Sequence, residues 1–459
     1  MTTLLAIYLI VLSLVLVWIV FRDHRSGLCE LLSCRNLALL GLILFQLSSV
    51  AYSLLANDYS HYAVYNPAKS GLIFCAMITT FVILSLWTYR RGWFVKGLAR
   101  RLPTTYASPG DLALLLNAFL ITVVAIVMRF GVAVPYLSII AGTVAVGLNA
   151  VSSGLVGWVW GRQLRNPVYL VYGLLIIAAN LAVVMSFSFG RRGIVAVGGI
   201  IVWGMYYSYW RHLRTTGILS RMAIVGLPPV IFLLLFTSVR TAGRSGTGVD
   251  TSEMTASRHI RNILEGGSLI RGLTFVASGQ YSGAISLFLI ESCPETFAYR
   301  HMESVYYFFV LPVPRALWPG KPHPLSQQIA RMARVSRANW DRLKLGPGII
   351  GHAAAEGGWY AVILYGLIGG LFFRFFDEIV QLNIDSPLVV LSVGSSMGHF
   401  IGLPRGSVPN FAFLAVLTAI GSLLIMVVLG KLAERISPPQ LVDDDELDES
   451  GEWEYDEDQ

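Results

Sequence analysis

The chain has 459 residues, of which 55% are hydrophobic and only 13% are charged, and its formal net charge at pH 7 is +7. Soluble domains carry roughly 25% charged residues, so this composition, with a mean hydropathy of +0.64, excludes an ordinary soluble domain. A transmembrane helix needs about 20 consecutive apolar residues. The number and direction of such segments is therefore the first property to establish.

Apolar segments of spanning length predict an all-α polytopic membrane protein with about eleven transmembrane helices. Helices are expected because each span must satisfy its own backbone N–H and C=O groups. One of the segments, Val134–Val151, is short and interrupted by glycines. The predicted spans are Leu4–Phe21, Leu37–Leu55, Gly71–Tyr89, Leu112–Met128, Val134–Val151, Val168–Phe187, Ile194–Trp210, Met222–Val239, Trp359–Phe376, Leu388–Leu403 and Phe411–Leu429.

Basic residues in the short loops predict the orientation of these spans. The loops after spans one, three, five and seven are rich in Arg, and the positive-inside rule assigns their side to the cytoplasm. The N-terminus and the one large loop then lie outside, and the C-terminus lies inside. Span one is interpreted as retained rather than as a signal peptide, because it lacks a basic n-region and a small-residue cleavage site.

The chain divides into four regions by composition. The last of them, an acidic tail, has eleven acidic residues between Asp443 and Asp458 and no basic one. This predicts a disordered cytoplasmic segment, with a partner-binding motif as the alternative. The regions are eight spans in 1–238, a large extracytoplasmic loop in 239–357, three spans in 358–432 and the tail in 433–459.

The large loop combines basic charge with short apolar segments. Between Val239 and Gly357 it has thirteen basic and eight acidic residues, interleaved with Trp and Tyr side chains. Arg suits bidentate contact with phosphate and stacking on aromatic faces. Ser257–Gly272 has the spacing of an amphipathic surface helix, whereas Ala284–Ile290 and Val305–Val313 suit interfacial or re-entrant segments. Nucleic acid is a poor partner for a surface outside the membrane.

Four arginines near the ends of spans are candidate substrate-binding residues. Arg191 and Arg192 stand where span six ends and span seven begins, so their charge adds to the free N–H groups of a helix N-terminus and favours an anion. The alternative is that they reach to lipid head groups. Arg240 and Arg244 open the large loop and belong to its basic surplus.

A proline-rich segment, Pro312–Pro322, holds two further candidates. Arg315 is a candidate catalytic residue and Lys321 a candidate substrate-binding residue, because the four prolines preset the backbone that carries them. The alternative is a rigid turn that caps the membrane domain.

His352 and Glu356 are the candidate proton-transfer residues. They are four residues apart, so a helix places them on one face, at the outer mouth of the next span. A carboxylate at the membrane boundary suits a general base, and the alternative is a helix N-terminal Glu that offsets the dipole. Arg405, in a short outer loop between prolines, is either an anchor or a further phosphate contact.

Several motifs are missing, and we therefore predict no cofactor and no metal site. The outer segments contain no Asp-x-Asp pair, which is the usual divalent-metal clamp for nucleotide sugars, and no Gly-rich phosphate loop. Cys29 and Cys34 have no second ligand pair nearby for zinc. The spans carry no run of buried acids, which weakens the interpretation as a proton-coupled transporter.

Three motifs carry a resemblance to a known family. They are Ser188-Phe-Gly-Arg-Arg-Gly193 at a span start, Pro314-Arg-Ala-Leu-Trp-Pro-Gly-Lys-Pro322 in the large loop, and Glu356-Gly-Gly-Trp-Tyr-Ala-Val-Ile-Leu-Tyr-Gly-Leu-Ile-Gly-Gly370 opening the next span. Together with the predicted topology, they resemble the bacterial oligosaccharide repeat-unit polymerases, the O-antigen polymerase (Wzy-type) family of membrane glycosyltransferases.

The resemblance implies a GT-C-like fold in the bacterial inner membrane, with an active site facing the periplasm. It implies polyprenyl-diphosphate-linked oligosaccharides as donor and acceptor, with membrane lipids, a chain-length regulator and a flippase as partners. On this reading Arg191, Arg192, Arg315 and Arg405 contact the diphosphate with support from Lys321, and Glu356 or His352 removes the acceptor proton. A glycan ligase with the same lipid-linked donor and a transporter of lipid-linked oligosaccharides are the alternatives.

Overall fold

The computed structural model describes residues 1–60, 62–102, 110–131, 135–187, 191–242, 265–315, 317–333 and 345–436. These residues fold into helices joined by turns, with no strand among them. Ten of the helical segments are long and apolar enough to cross a membrane, and two more are apolar but shorter. The predicted all-α polytopic architecture is therefore confirmed.

The first half of the described chain contains α1 Thr2–Arg25, α2 Cys34–Leu42, α3 Ser48–Ala56, α4 Pro67–Arg91, α5 Val95–Ala99, α6 Asp111–Gly131, α7 Pro135–Gln163, α8 Pro167–Phe187, α9 Arg191–Ser208 and α10 Thr215–Ala242. The second half contains α11 Leu269–Ala277, α12 Ser282–Ser292, α13 Glu303–Val310, α14 Leu325–Met332, α15 Gly348–Glu356, α16 Trp359–Leu382, α17 Pro387–Gly394, α18 Met397–Gly402 and α19 Val408–Ile436. A π-helical turn, Ile43–Leu47, joins α2 to α3, so that Cys34–Ala56 forms one span.

Nine of the eleven predicted spans fall on helices of spanning length, whereas Ile194–Trp210 and Leu388–Leu403 fall on shorter apolar helices. The tenth helix of spanning length, Leu269–Ser292, was predicted as part of the large loop.

The segment predicted as Val134–Val151 belongs to the much longer α7. The glycines that interrupt its apolar pattern are packing positions rather than helix ends. A Cβ atom on Gly157 would lie 2.4 Å from the carbonyl oxygen of Ile201 in α9, and one on Gly204 would lie 2.4 Å from the carbonyl oxygen of Gly154. Small residues let neighbouring membrane helices approach this closely.

Contacts between helix ends define two faces of the helical domain. The backbone N–H of Cys34 and the hydroxyl of Tyr89 both donate to Asp377, at 2.6 and 2.8 Å, so the start of α2 lies with the ends of α4 and α16. Arg211, just before α10, pairs with Asp385, just after α16, at 2.8 Å. We call this side the basic face. The opposite side, where α3 ends and α4 and α16 begin, is the loop face.

The apolar segment Leu269–Ser292 has the length of a span, yet both of its ends contact the loop face. Before α11, the backbone N–H of Ser268 donates to the hydroxyl of Ser238 in the last turns of α10, at 2.9 Å. At the end of α12, the carboxylate of Glu291 accepts from the backbone N–H of Asn66, which caps α4, at 2.7 Å. Helices α11 and α12 therefore form a re-entrant hairpin that enters and leaves on the loop face.

The tip of this hairpin meets two other broken helices near the middle of the Cys34–Ala56 span. Gln46, in the π-helical turn, donates from Nε2 to the hydroxyl of Ser282 at 2.7 Å. Gly348, which begins α15 at φ +69°, lies so close that a Cβ atom would be 2.1 Å from Gln46 Nε2 and 2.2 Å from the carbonyl oxygen of Pro404. Irregular backbone at this depth is tolerated because it is buried within protein.

Candidate functional site

Several predicted residues cannot be placed in the site. Arg244 and the acidic tail lie outside the described residues, as does the first half of the predicted amphipathic segment Ser257–Gly272. The backbones of Arg191, Arg192 and Arg240 belong to α9 and α10, but their side chains are also outside the description. The site described here is therefore built from Glu356, His352, Arg315, Lys321, Arg405 and the residues that surround them.

Helix α15 brings His352 and Glu356 together, on one face, as their spacing predicted. Nδ1 of His352 lies 3.4 Å from Oε1 of Glu356. Both side chains have 0% exposure, however, so they do not open onto an outer mouth as expected. The reason is that α13, a short helix of the large loop, packs over them through Ser304.

Two hydroxyl residues complete the hydrogen bonding of the Glu356 carboxylate. The backbone N–H of Ser304 donates to Oε1 at 3.0 Å, and the Ser304 hydroxyl donates to the same oxygen. The hydroxyl of Tyr365, in α16, donates to Oε2. A buried carboxylate is tolerated only with such compensation. Ser304 and Tyr365 were missed in the sequence because a contact between distant residues leaves no spacing signal.

The hydrogen bonds of His352 define which ring nitrogen carries the proton in the neutral imidazole. The backbone N–H of Val408, in the first turn of α19, donates to Nε2 at 3.3 Å, which leaves the ring proton on Nδ1. Nδ1 lies 2.8 Å from the Ser304 hydroxyl, which in turn donates to Glu356. The hydroxyl stands between imidazole and carboxylate, whereas in serine hydrolases the imidazole takes the middle position. The arrangement therefore orients Glu356 rather than activating Ser304 as a nucleophile.

A cleft of about 470 Å³ opens on the loop face beside this buried cluster. Two exposed arginines, Arg300 and Arg331, stand in its walls, and none of the described residues that line it is acidic. Guanidinium groups favour phosphate and carboxylate ligands. The lining consists of Phe297, Arg300, His323, Gln327, Gln328, Arg331 and Met332.

The cleft and the buried cluster are joined by one short segment of chain. The backbone N–H of Arg300 donates to the carbonyl of Ala355, next to Glu356, at 3.0 Å. The carboxylate of Glu303 accepts from Gln328 Nε2 at 2.9 Å and lies 3.9 Å from the Arg300 guanidinium. Burial raises the pKa of Glu303, although Arg300 opposes the shift. Arg300 and Glu303 therefore link the cationic cleft to the Glu356 carboxylate.

The predicted proline-rich segment forms a closed turn, and Lys321 stabilises it through hydrogen bonds to its backbone. Its ammonium group donates to the carbonyls of Leu311 and Val313, both at 2.9 Å, and the residue is 6% exposed. Burial lowers the pKa of Lys321, and the neighbouring Arg315 lowers it further. The Arg315 guanidinium closes the same turn by donating to the carbonyls of Lys321 at 2.6 Å and Pro322 at 3.0 Å.

Arg315 stands at the edge of the cleft and is exposed there. Its Nη2 lies 3.4 Å from Nδ1 of the cleft residue His323.

Arg405 lies elsewhere than predicted. Its guanidinium carbon is 5.7 Å from the ring centroid of Phe45, near the middle of the Cys34–Ala56 span, rather than in a loop at the membrane surface. The reason is that α17 and α18 together, Pro387–Gly402, are too short to cross the membrane. An ionisable residue at such depth indicates a functional site.

The cleft residues were also missed in the sequence, although one signal pointed to them. In α14, Gln328 and Arg331 are three residues apart and share a polar face, beside the buried Leu325 and Ile329. Within the described ranges, no group of three His, Cys, Asp or Glu side chains is placed to hold a metal ion.

The three motifs of the family resemblance contribute unequally to this site. The proline-rich motif forms the turn at the edge of the cleft, the third motif begins at the buried Glu356, and the first lies largely outside the described side chains. No family model matches the chain, and no curated protein or solved structure matches it either.

Proposed function

We propose that this chain is a membrane glycosyltransferase that polymerises polyprenyl-diphosphate-linked oligosaccharide repeat units into a surface polysaccharide without a metal ion. One observation carries the proposal: a cleft whose described lining includes Arg300 and Arg331 and no acidic residue adjoins a buried carboxylate–imidazole pair on the loop face. The proposal assigns the loop face to the periplasmic side of a bacterial inner membrane, where a chain-length regulator and a flippase are the expected partners.

The proposed reaction needs a proton acceptor and a cationic site for the leaving group. The hydroxyl oxygen of the acceptor sugar bonds to the anomeric carbon of the donor, while the bond from that carbon to the lipid diphosphate breaks. The bonding pair stays with the diphosphate, where Arg300 and Arg331 stabilise the charge. The hydroxyl proton passes to Glu356, which requires that the acceptor hydroxyl displace Ser304 or Tyr365 from the carboxylate.

The position of Arg315 supports a lipid-linked substrate. A polyprenyl chain enters from the membrane, so its diphosphate approaches the protein at the boundary between lipid and water. Arg315 stands at the edge of the cleft, where its guanidinium group can contact a diphosphate that enters the cleft. Arg405 lies deeper, at the junction of broken helices near Phe45 and Gln46, so we do not assign it to a diphosphate at this boundary.

The direct test is incubation of the purified protein with a synthetic polyprenyl-diphosphate-linked oligosaccharide, followed by gel and mass analysis of the products. A polymerase produces a ladder that is spaced by one repeat unit. A single transfer onto a different acceptor indicates a glycan ligase, and the absence of any product from correctly folded protein would overturn the transferase proposal.

A second candidate is a transporter of lipid-linked oligosaccharides, and one observation favours it. Helices α11–α12, α15 and α18 all begin or break beside Gln46, near the middle of the Cys34–Ala56 span, and discontinuous helices inside a membrane domain commonly form transport sites. Transfer of a fluorescent lipid-linked oligosaccharide across proteoliposomes, without a change in its length, would support this function over the polymerase.

A further inference from the structure

One carboxylate on the basic face gathers three arginines, and the site already described uses none of them. Asp23, near the end of α1, is fully buried. It accepts from Arg22 at 2.8 Å, from Arg35 of α2 at 2.8 Å and from Arg90 of α4 at 3.0 Å. Three helices are therefore joined at a single carboxylate, which we call the Asp23 cluster, together with its three arginines.

The cluster has more positive charge than its acid can neutralise. Three guanidinium groups against one carboxylate leave an excess of two positive charges. Asp377 binds the backbone N–H of Arg35 at 3.3 Å, and counting its charge still leaves an excess of one. An uncompensated charge at the edge of a membrane is costly unless an anion or water accompanies it.

The three arginines differ in how far their donors are used. The side chain of Arg35 is 3% exposed, and its other donors reach Oδ1 of Asn36 at 3.1 and 2.9 Å. The side chains of Arg22 and Arg90 are 42% and 39% exposed, so part of each guanidinium faces outward. Because Asp23 holds both of them, their outward donors are positioned before any ligand arrives.

An aromatic side chain stands beside this outward pair. The Arg22 guanidinium lies 4.9 Å from the ring centroid of Trp18, and Trp18 is 58% exposed on the lipid-facing side of α1. Trp is the residue that commonly occupies the level of lipid head groups. The pair of arginines therefore stands at the head-group level of the basic face, next to the lipid-exposed surface of α1.

We propose that Arg22 and Arg90 form a binding site for the phosphate of an anionic phospholipid on the basic face. The two guanidinium groups donate to the phosphate oxygens, and the acyl chains lie along α1 beside Trp18. The bound lipid would neutralise the excess charge of the Asp23 cluster and strengthen the contact between α1 and α4. This site is on the opposite face from the cationic cleft, and the proposal does not rest on the proposed enzymatic function.

The test is the change in melting temperature of the delipidated protein in detergent when lipid is added. Phosphatidylglycerol should stabilise the protein with a saturable dose dependence, and phosphatidylcholine should not. The Arg22→Gln/Arg90→Gln variant should bind phosphatidylglycerol roughly tenfold more weakly, since each arginine near a membrane contributes measurably to anionic lipid binding. The Arg100→Gln/Arg101→Gln variant removes two exposed arginines of the same face and should respond like the parent protein.

A single variant and a control with inorganic phosphate complete the test. The single variant Arg22→Gln leaves Asp23 with two partners, and it should lose part of the lipid response even if the double variant does not fold. Inorganic phosphate is added alone to distinguish a free anion from a lipid. An unchanged phosphatidylglycerol response in Arg22→Gln, or stabilisation by inorganic phosphate with no preference between the two lipids, would overturn the proposal.

Discussion

Oε1 of Glu356 lies 3.4 Å from Nδ1 of His352, and neither side chain is exposed. The pair is held by Ser304 from the large loop, by Tyr365 from α16 and by the backbone of Val408 from α19. Three separate parts of the chain therefore meet at this carboxylate–imidazole pair. In the proposed reaction, the Glu356 carboxylate is the group that receives the acceptor proton.

The substitution Glu356→Gln should abolish polymer formation with little change in shape. A carboxamide has nearly the size of a carboxylate: its oxygen can keep the two Ser304 donors, and the Tyr365 hydroxyl can turn to accept from its NH2 group, but it cannot take up the proton. We expect the rate of ladder formation to fall about 10²- to 10⁴-fold, which is typical for loss of a general base. The matched control is Glu295→Gln, an exposed acid of the same loop. A normal ladder from Glu356→Gln would remove this residue from the reaction.

Substitutions in the cleft should act on substrate binding. Replacing Arg300 or Arg331 by Gln removes a charge-assisted contact with the diphosphate, which contributes about 1.5–3 kcal/mol per hydrogen bond. We expect the KM for the lipid-linked substrate to rise roughly ten- to hundredfold, with an unchanged melting temperature. Arg271→Gln, an exposed arginine in α11, is the control. Equal KM values in all three variants would contradict the assignment of the cleft.

The substitution Lys321→Met should destabilise the proline-rich turn. It leaves the carbonyls of Leu311 and Val313 without their ammonium donor, and an unsatisfied buried acceptor costs about 1–3 kcal/mol. We expect faster limited proteolysis between α13 and α14 and a lower melting temperature. Lys69→Met, which changes an exposed lysine at the start of α4, should leave both unchanged. If the two variants behave alike, the ammonium group does not hold the turn.

The Cys293 thiol should react slowly with alkylating reagents at pH 8. Burial raises its pKa to about 11, and Arg300 only partly opposes this. A thiol with this pKa is thiolate in roughly one molecule per thousand at pH 8, and the thiolate is the reactive form. Alkylation should accelerate about tenfold for each pH unit up to pH 11.

Peptide-level mass spectrometry measures this rate, and Cys29 of the basic face, whose pKa is also raised to about 11 by burial, provides an internal comparison. Rapid, pH-independent labelling of Cys293 in the folded protein would show that its thiol is not buried.

Substitution of Gly157 should separate α7 from α9. A Cβ atom at this position would lie 2.4 Å from the carbonyl oxygen of Ile201 and 2.8 Å from its Cα, and backbone atoms cannot move aside as a side chain can. We expect Gly157→Ala to lower the melting temperature in detergent. At Gly226 a Cβ atom meets nothing within 4 Å, so Gly226→Ala should be neutral or stabilising, because Ala favours helix. The reverse order of the two melting temperatures would contradict the packing.

The spans could be predicted from the sequence because an apolar run of about 20 residues has few alternatives to a membrane helix. The same reasoning underestimated the length of α7. A glycine lowers the local hydropathy equally whether it ends a helix or lies where a neighbouring helix packs closely. It also placed Arg405 at the membrane surface, because the sequence of the short α17–α18 segment does not indicate how far into the membrane domain the segment extends.

The sequence by itself determined the all-α membrane architecture, the arginine-rich helix ends and the common face of His352 and Glu356, because these depend on local composition and helical period. Only the tertiary structure decided that Glu356 is buried, that Lys321 hydrogen-bonds the backbone of its own turn and that Arg300 and Arg331 line the same cleft. These features depend on contacts between residues far apart in the chain. Such contacts follow from how the helices pack, and no local pattern encodes them.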